Sequence, residues 1–380
     1  MEQKLSALDL FSGIGGLSLA VDHVAATRAY VEINFYSQQV LKARMADCCL
    51  HKAPIYEDVC KLEHPGQGVE MMCGGFPCQD ISTIGLGAGI VDGKRSGLFY
   101  EIMRLCDASD EVKVLFLENV ANIRNAGGAI VVEELRARGF NCRWLVHSAS
   151  ELGAPHVRKR WFCLAVRGDF SIKRLMPKKS NRSTIPPIDA WRREPCMRAV
   201  HKSAVDSAWP ARLATLGNSV VPAVARAAFD ALVSGFANVS ARDAKVPFRR
   251  APLNPLPISG MVLNGFFYPA SAVERAKAAA SGTEGSCSGS GSTTLVIDGK
   301  ERVMRHLPTP RHGNVRASKT VNARSTSDLG TVLVQCEETK RRVGIRDSTT
   351  VCDTCAPNPL FVEWMMGYPP DWTRVVAVQI

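Results

Sequence analysis

Short apolar runs alternate with amphipathic stretches from residue 5 to about residue 168. The runs have the length of strands, and the apolar residues between them recur at helical spacing. Strands that alternate with helices predict an α/β fold, in which a doubly wound parallel sheet carries helices on both faces. The predicted strands are 6–10, 29–33, 69–72, 112–118, 141–148 and 161–166, and the predicted helices between them are 16–23, 37–46, 97–106 and 128–138.

This alternation ends after Asp169. The following residues have few long apolar runs, and one clear helix is predicted over 220–233. Residues 281–292 are rich in Gly and Ser, which is typical of a linker or a surface loop. We therefore divide the chain into an α/β domain (1–170), a connector (171–210), a helical segment (211–235) and a smaller, loop-rich region (236–380) that ends in a helical stretch over 360–368.

The chain of 380 residues, 46% of them hydrophobic, is long enough for two or three domains with buried cores. This size and apolar content exclude a short disulfide scaffold and a wholly disordered chain. No apolar run approaches the roughly 18 residues of a membrane span, and the first residues lack the pattern of a secretory signal. We therefore expect a soluble, cytoplasmic protein without a membrane partner, whose 13 Cys are mostly reduced and buried.

The net charge of +11 is distributed unevenly along the chain. Residues 1–170 hold 18 Lys and Arg against 20 Asp and Glu, whereas residues 171–380 hold 29 against 16. The N-terminal region therefore carries a net charge of −2, and the C-terminal region carries a net charge of +13. A near-neutral region joined to a basic region favours a polyanionic partner such as nucleic acid, although solvated Lys and Arg without a partner would give the same count.

A cluster of glycines, Gly13, Gly15 and Gly16, lies between the first predicted strand and the first predicted helix. Glycines let the backbone turn tightly and approach a ligand at a helix N-terminus, and sheets of this kind bind ligands at the carboxyl ends of their strands. Glu32, at the end of the second strand, suits the ribose hydroxyls of a nucleoside cofactor. Packing alone also places glycines in such turns, and Glu32 taken singly could be a surface carboxylate.

Cys78 follows the third predicted strand, within the sequence Gly-Gly-Phe-Pro-Cys-Gln. Gly and Pro shape the loop, and a thiol at this edge of the sheet can act as a nucleophile when it is deprotonated or held against an electrophile. The alternative is a buried thiol without chemistry, which is the expectation for most of the other Cys. The surrounding residues favour the nucleophile at Cys78.

Charged residues lie at the ends of two further strands. Glu118 ends the fourth strand, where burial can raise the pKa of a carboxyl group and make it a proton donor. Arg158 and Arg160 share one side of an extended strand and suit a phosphate or a base edge. Taken singly, Glu118 could be a capping or surface carboxylate, and the two arginines could form a solvated face.

Taken together and in this order, the four motifs resemble those of the cytosine-5 DNA methyltransferase family. Residues 9–16 look like its cofactor motif, 77–79 its nucleophile motif, 118–120 its acid motif and 156–160 its paired-arginine motif. Residues 213–222 look like the family's last motif, and 361–372 resemble the motif that organises the target recognition domain. The resemblance covers residues 5–233 well and 251–373 more loosely.

This resemblance implies a Rossmann-like methyltransferase fold with a mostly parallel sheet. Its catalytic domain would span 1–170, a helix of 211–235 would return to that domain, and 236–380 would hold the target recognition region. The implied reaction transfers a methyl group from S-adenosyl-L-methionine to carbon 5 of a flipped-out cytosine in duplex DNA. The Cys78 thiolate would add to carbon 6, the protonated Glu118 would hydrogen-bond to the ring, and Arg160 with Arg158 would anchor the pyrimidine carbonyl.

By the same resemblance, a set of residues at the glycine turn and the neighbouring strand ends would bind the cofactor. Glu32 would bind the ribose, and Asp58 the adenine amino group. The full set is Phe11, Ser12, Gly13, Gly15, Gly16, Glu32, Asp58, Pro77, Leu98 and Asn218. Double-stranded DNA is the implied partner of a monomer without a metal ion, and the resemblance leaves open a cognate restriction enzyme.

Three features depart from the family's usual pattern. His156 stands where many members have Gln, a change that keeps the hydrogen-bonding capacity. The motif over 217–222 precedes the target recognition region, whereas the common order places it at the end. This permutation is tolerable if the helix over 220–233 still docks on the first strand. Finally, the terminal motif lacks the expected arginine upstream of Glu363.

Two other functions fit some features of this pattern. A tRNA cytosine-5 methyltransferase of the same fold would share the motifs, but the basic C-terminal region and the lack of an RNA-type Cys-Phe-Thr sequence speak against it. A non-catalytic DNA-binding relative would be expected to lack Cys78, Glu118 or the glycine turn, and all of these are present.

Two pairs of residues near the C-terminus carry weaker signals. Cys352 and Cys355 have the spacing of half a zinc site, but no second pair lies at finger spacing. Trp364 and Trp372 are expected in the core of the smaller domain.

Overall fold

The computed structural model describes residues 3–77, 97–125, 127–176, 183–192, 195–196, 199–201, 206–237, 246–247, 255–269, 293–297, 300–304 and 355–375. The helices within these residues are Gly16–Val21 (α1), Phe35–Ala46 (α2), Leu98–Asp107 (α3), Gly128–Ala137 (α4), Trp209–Asn218 (α5), Pro222–Ala237 (α6) and Pro359–Met365 (α7). The strands are Leu5–Leu10 (β1), Ala25–Val31 (β2), Ile55–Tyr56 (β3), Met71–Gly75 (β4), Val114–Val120 (β5), Phe140–Ser148 (β6), Lys159–Arg167 (β7), Ala199–His201 (β8), Val246–Pro247 (β9), Ser259–Leu263 (β10), Phe266–Pro269 (β11), Thr293–Ile297 (β12), Lys300–Met304 (β13) and Cys355–Pro357 (β14).

Ten of these strands form one sheet in the order β3-β2-β1-β4-β5-β7-β6-β10-β11-β9. Neighbouring strands from β3 to β5 are parallel, and the pairs from β5 and β7 onward are antiparallel. The strand order reverses at β1, because the chain runs outward from β1 to β3 and resumes on the other side with β4. In α/β sheets such a reversal opens a crevice at the carboxyl ends of the two strands, where ligands bind.

Apolar side chains alternate between the two faces of the sheet and form two cores. One core joins helices α1, α2, α5, α6 and α7 to the face that carries Phe116 and Phe162. The other joins α3 and α4 to the face that carries Leu115 and Leu117. The predicted doubly wound α/β fold is therefore confirmed.

Helix α5 lies mostly within the predicted helical segment 211–235, but outside the one clear helix predicted over 220–233. Pro210 and Gly217 lie within it, and both residues usually interrupt helices. In the structure Pro210 occupies the first turn, where a proline lacks no needed hydrogen bond, and Gly217 lies at the last turn. The structure thus accommodates both residues without breaking the helix.

Segments of the region 236–380 belong to this same body. Strand β10 pairs antiparallel with β6, where Phe267 stacks on Trp144. Helix α7 packs into the first core, in which Phe361 and Trp372 are buried. Trp372 was expected in the core of a smaller domain, and the structure corrects this, because the chain returns to the first domain before its end.

One stretch, Trp209–Ala237, is long and apolar enough to cross a membrane by length and composition. The structure divides it into α5 and α6, which are separated by a non-helical turn. Phe229 of α6 is fully buried and packs edge-on against Phe116 of β5. The stretch therefore belongs to the core that covers the sheet.

Candidate functional site

The glycine turn lies at the carboxyl end of β1, in the crevice of the sheet. Gly13 and Gly15 have φ angles of 54° and 86°, in the left-handed region that favours glycine. A Cβ on Gly15 would lie 2.7 Å from Cδ1 of Leu50, whereas a Cβ on Gly13 would meet no heavy atom of the described residues within 4 Å. The turn is packed from below at Gly15 and opens toward a free space at Gly13.

Glu32 follows β2 directly and faces this turn. Its Oε2 accepts a hydrogen bond from the backbone N–H of Gly13 at 2.6 Å, and its Oε1 accepts one from that of Asn34 at 2.7 Å. Burial raises the pKa of the Glu32 carboxyl, and the two backbone N–H groups oppose this shift. A fixed carboxylate beside an open glycine turn fits the ribose of a nucleoside cofactor, because each oxygen keeps a second acceptor site for a hydroxyl group.

Asp58 follows the strand that pairs with β2. Strand β3 pairs with β2, and the backbone N–H of Glu32 donates to the carbonyl of Tyr56 at 2.9 Å. The Asp58 carboxylate accepts a hydrogen bond from the backbone N–H of Cys60 at 2.9 Å. Glu32 and Asp58 therefore follow adjacent parallel strands at one edge of the sheet.

The side chain of Ile33 is a feature that the sequence pattern did not indicate. This residue was assigned to a predicted strand, but it lies beyond β2 and is 78% exposed. An exposed apolar side chain next to Glu32 suits the flat face of a nucleobase. In the sequence it cannot be distinguished from the apolar residues of the strand that it follows.

Glu118 lies near the end of β5, on the face that α1 and α6 cover. Its Oε1 forms an ion pair with Nε of Arg160 at 2.9 Å, and its side chain is 14% exposed. A Cβ on Gly75 would lie 2.9 Å from Oε2 of Glu118, and these two residues are paired in the register of β4 and β5. Any larger residue at position 75 would displace this carboxyl group.

Burial raises the pKa of Glu118, and the charges of Arg160 and Arg158 act in the opposite direction. The desolvation effect is the largest, so the carboxyl keeps its proton to a higher pH than in water. This is the property expected of a proton donor, and the guanidinium of Arg160 keeps the group oriented.

Cys78 itself lies outside the described residues, but the chain that leads to it is described. Strand β4 ends at Gly75, and the side-chain amide of Asn119 donates a hydrogen bond to the carbonyl of Phe76 at 2.9 Å. Asn119 follows Glu118 in the sequence, and no motif assigned it a role of its own. Asn119 therefore connects the end of β5, which carries Glu118, to the segment Phe76–Pro77 that follows β4.

Arg158 is buried against the loop that follows α5. It is 4% exposed, and its Nη2 donates to the carbonyl oxygens of Gly217 and Ser219 at 3.0 and 2.6 Å. These carbonyls flank Asn218, which is the last residue of α5 and is exposed. Arg158 thus holds the loop of Asn218, because it precedes β7 and turns inward there, and its expected role at the pyrimidine stays a prediction.

The remaining expected cofactor residues lie at the same edge of the sheet. Phe11 and Ser12 belong to the glycine turn, and the hydroxyl of Ser12 donates to the carbonyl of Asp9 at 2.7 Å. Leu98 begins α3, and Pro77 is exposed at the end of the described stretch before Cys78.

The structure shows the contacts made at each of the three departures from the family pattern. His156 is buried, and its Nε2 donates to the carbonyl of Met365 at 2.9 Å. The permuted helix α6 does dock beside α1, where Arg226 Nη2 donates to the carbonyl of Leu19 at 2.9 Å. Glu363 has an arginine partner after all, because Arg212 of α5 forms an ion pair with it at 3.1 Å.

Asp9 is a buried carboxyl group beneath the glycine turn, and we expect it to make stability depend on pH. It is 2% exposed, and its Oδ2 accepts a hydrogen bond from the hydroxyl of Ser18 at 2.6 Å. Burial, assisted by the charge of Glu32, raises the pKa of Asp9 from 3.8 to about 7. The folded state therefore binds the Asp9 proton more tightly than the unfolded state does. As the pH rises from about 4 to about 7, ionisation of Asp9 lowers the free energy of unfolding of the protein.

The variant Asp9→Asn cannot ionise, so it should gain stability relative to the wild-type protein over this window. We expect the difference in free energy of unfolding to grow by roughly 2–4 kcal/mol between pH 4 and pH 8 and then to level off. Urea titrations of both proteins across this range measure it. A difference that stays constant with pH would show that Asp9 is ionised in the folded protein throughout.

The α/β sheet carries a glycine turn, an acidic residue after β2, and a carboxyl–arginine pair at the end of β5. Together these features define a protein of the methyltransferase type, which uses a nucleoside cofactor. The chain belongs to the C-5 cytosine-specific DNA methylase family, whose model matches residues 5–203.

Individual relatives are similar over a portion of their length. The chain is 33% identical over 231 residues to the Type II methyltransferase M.CviJI of Paramecium bursaria Chlorella virus IL3A, which covers 60% of this chain and 59% of the relative. It is 30% identical over 168 residues to the Type II methyltransferase M.MspI of Moraxella sp, which covers 42% and 38%. The chain thus spans about 59% or less of the length of these relatives. Among solved structures, the S. pombe Dnmt2 methyltransferase matches 44% of this chain and 50% of its own at 20% identity, with a TM-score of 0.35.

Proposed function

We propose that the protein is a DNA methyltransferase that adds a methyl group to carbon 5 of cytosine in duplex DNA. The observation that carries this proposal is the buried Glu118, held by Arg160 at the carboxyl end of β5, beside the strand that leads to Cys78. The relatives named above are Type II methyltransferases, which favours DNA over tRNA as the substrate.

The cofactor of this reaction is S-adenosyl-L-methionine. The open space at Gly13 would receive it, Glu32 would bind its ribose hydroxyls, and Asp58 with Ile33 would contact the adenine. Asn218, exposed at the end of α5, would close the site from the opposite side. When bound, the cofactor supplies the methyl group from its positively charged sulfonium.

The residues of this chain activate the cytosine from two sides. The Cys78 thiolate adds to carbon 6, so that a carbon–sulfur bond forms and the electron pair of the carbon 5–carbon 6 double bond becomes available at carbon 5. Glu118 donates its proton to ring N3 and thereby neutralises the charge that develops there. After methylation, water acting as a base takes the proton from carbon 5. The released electron pair re-forms the carbon 5–carbon 6 double bond, the thiolate leaves, and the N3 proton returns to Glu118.

Arg160 would complete the pocket for the base. Its Nε pairs with the Glu118 carboxyl, and its Nη1 donates to the carbonyl of Lys159 at 2.9 Å. The N–H groups of Nη2 suit the pyrimidine carbonyl. Because carbons 5 and 6 are hidden in a stacked duplex, the target cytosine must leave the helix to reach these groups.

DNA binding would depend on the basic C-terminal region of the chain. Residues 171–380 carry a net charge of +13, and much of the proposed target recognition region, 236–380, lies outside the described residues. Lys and Arg that neutralise phosphates release counterions, so binding should weaken as salt increases. We propose that the protein acts as a monomer inside the cell that holds this DNA.

The proposal is tested by incubating the purified protein with tritiated S-adenosyl-L-methionine and either duplex DNA or tRNA. We expect label in duplex DNA, at cytosines that bisulfite sequencing then locates. Label in tRNA alone would make the protein an RNA methyltransferase. Label in neither substrate, despite binding of the cofactor, would favour a non-catalytic DNA-binding protein.

A further inference from the structure

The C-terminal segment, residues 359–375, contacts three of the elements that carry the proposed cofactor ligands. At the glycine turn, Nε1 of Trp372 donates a hydrogen bond to the carbonyl of Ile14 at 2.9 Å. At the loop after Asn218, the hydroxyl of Tyr368 donates to the carbonyl of Val220 at 3.0 Å. At α2, which follows Glu32, Tyr36 donates to the carbonyl of Thr373 at 2.8 Å.

The contact with the glycine turn is close. A Cβ on Gly16 would lie 2.5 Å from the hydroxyl oxygen of Tyr368 and 2.6 Å from Cγ1 of Val220. The rings of Tyr368 and Trp372 also contact each other, with centroids 5.5 Å apart. The start of α1 therefore lies directly against the C-terminal segment.

The hydrogen bond of Trp372 acts on the peptide plane that shapes the turn. The carbonyl of Ile14 and the N–H of Gly15 belong to one planar peptide unit. The N–H of Gly15 donates to the carbonyl of Ser12 at 2.9 Å, while the carbonyl of Ile14 accepts from Trp372. This plane is thus held at both ends, and Gly13, beside it, keeps the conformation that leaves the space above it open.

The C-terminal segment is itself held by a buried ionic group. Glu363 of α7 is fully buried, and its Oε1 accepts hydrogen bonds from Nη2 of Arg212 at 3.1 Å and from the backbone N–H of Thr373 at 2.9 Å. Arg212 lies in α5, the helix that ends with Asn218. The segment therefore has a defined position relative to the Asn218 side of the pocket as well as to the glycine turn.

We propose that Trp372 is a positioning residue for the cofactor, which fixes the glycine turn from a point about 360 residues later in the chain. The inference rests on the proposed function, because it assigns the cofactor to that turn. It adds that cofactor affinity depends on a tryptophan of the C-terminal segment that contacts no atom of the cofactor itself.

Two matched variants test this role, Trp372→Phe and Trp364→Phe. Nε1 of Trp364 also donates to a backbone carbonyl, that of Ala190 at 2.8 Å, but this bond lies away from the glycine turn. Both variants remove one indole N–H and keep an aromatic ring, so both should lower the melting temperature. Only Trp372→Phe should weaken binding of S-adenosylhomocysteine in isothermal titration calorimetry, by roughly 3- to 10-fold, as expected for one hydrogen bond.

The kinetic signature should separate positioning from general loss of structure. In the labelling assay Trp372→Phe should raise KM for the cofactor while kcat at saturation stays within about twofold of wild type. Tyr368→Phe, which removes the bond to Val220, is the second variant if Trp372→Phe does not fold, and the same loss of affinity is expected for it.

Equal affinities of the Trp372→Phe and Trp364→Phe variants for S-adenosylhomocysteine would overturn the inference. If the wild-type protein does not bind S-adenosylhomocysteine at all, the proposed function fails as well. The two failures are therefore distinguishable in one set of titrations.

Discussion

The variant Glu118→Gln should methylate duplex DNA about 10²- to 10⁴-fold more slowly than the wild-type protein, because it removes the proton donor for ring N3. The substitution keeps the size of the side chain and one oxygen that can accept from Arg160. The loss should therefore appear mainly in kcat, while the affinity for S-adenosylhomocysteine stays near the wild-type value. Steady-state kinetics with tritiated S-adenosyl-L-methionine measure both quantities.

The pH dependence of methyl transfer tests the same prediction in a second way. Burial raises the pKa of Glu118, so the proton-bearing form persists to a higher pH than for a carboxyl group in water. Wild-type activity should fall as the pH rises through this raised value. Glu118→Gln has no proton to lose at this position, and its residual activity should lack this decline.

A matched substitution controls for the loss of a carboxylate in general. Glu111 is exposed on the loop before β5 and accepts a hydrogen bond from the backbone N–H of Gly68. Glu111→Gln should leave both the rate and the pH profile unchanged. A Glu118→Gln variant that retains more than about a third of the wild-type rate would exclude Glu118 as the proton donor.

The variant Cys78→Ser should lose methyl transfer by at least about 10³-fold, because a serine hydroxyl ionises far less readily than a thiol and is a much weaker nucleophile at neutral pH. A duplex with 5-fluorocytosine at the target position gives a direct measurement. Fluorine cannot leave carbon 5 as a cation, so the carbon–sulfur bond cannot be released after methylation. The wild-type protein should form a complex with this DNA that survives denaturing electrophoresis.

Neither the rate nor the complex should be affected in Cys48→Ser, which changes an exposed, free thiol beyond the end of α2. The Cys78→Ser variant should still bind S-adenosylhomocysteine, because Cys78 approaches the base and not the cofactor. A denaturation-resistant complex formed by Cys78→Ser would require another nucleophile. Loss of cofactor binding in the same variant would indicate a damaged fold.

The chemistry-bearing residues could be predicted from the sequence because their signals are local. Glu118 ends an apolar strand, and the glycine turn follows another, so both could be placed at one edge of the sheet without coordinates. The strand and helix positions followed from periodicity for the same reason. Helix α5 precedes the helix that was predicted clearly over 220–233, and its helix-breaking residues are acceptable only at its ends.

The contacts of Arg158 could not be predicted in this way. An extended strand places Arg158 and Arg160 on the same side, and the pattern therefore favours a shared role. In the structure Arg160 reaches Glu118, whereas Arg158 is buried against the carbonyls of Gly217 and Ser219. These partners lie about sixty residues away in sequence, so no local spacing indicates them.

The sequence by itself determined the class of fold, the edge of the sheet that carries the site, and the residue types available for chemistry, since each follows from short-range periodicity and from the residues at strand ends. Only the tertiary structure decided which residues hold that site in place. Trp372 reaches the glycine turn through a hydrogen bond, and the ion pair of Glu363 with Arg212 joins the C-terminal segment to α5. Such contacts depend on how helices pack across the sheet, and a linear sequence does not record that packing in any local pattern.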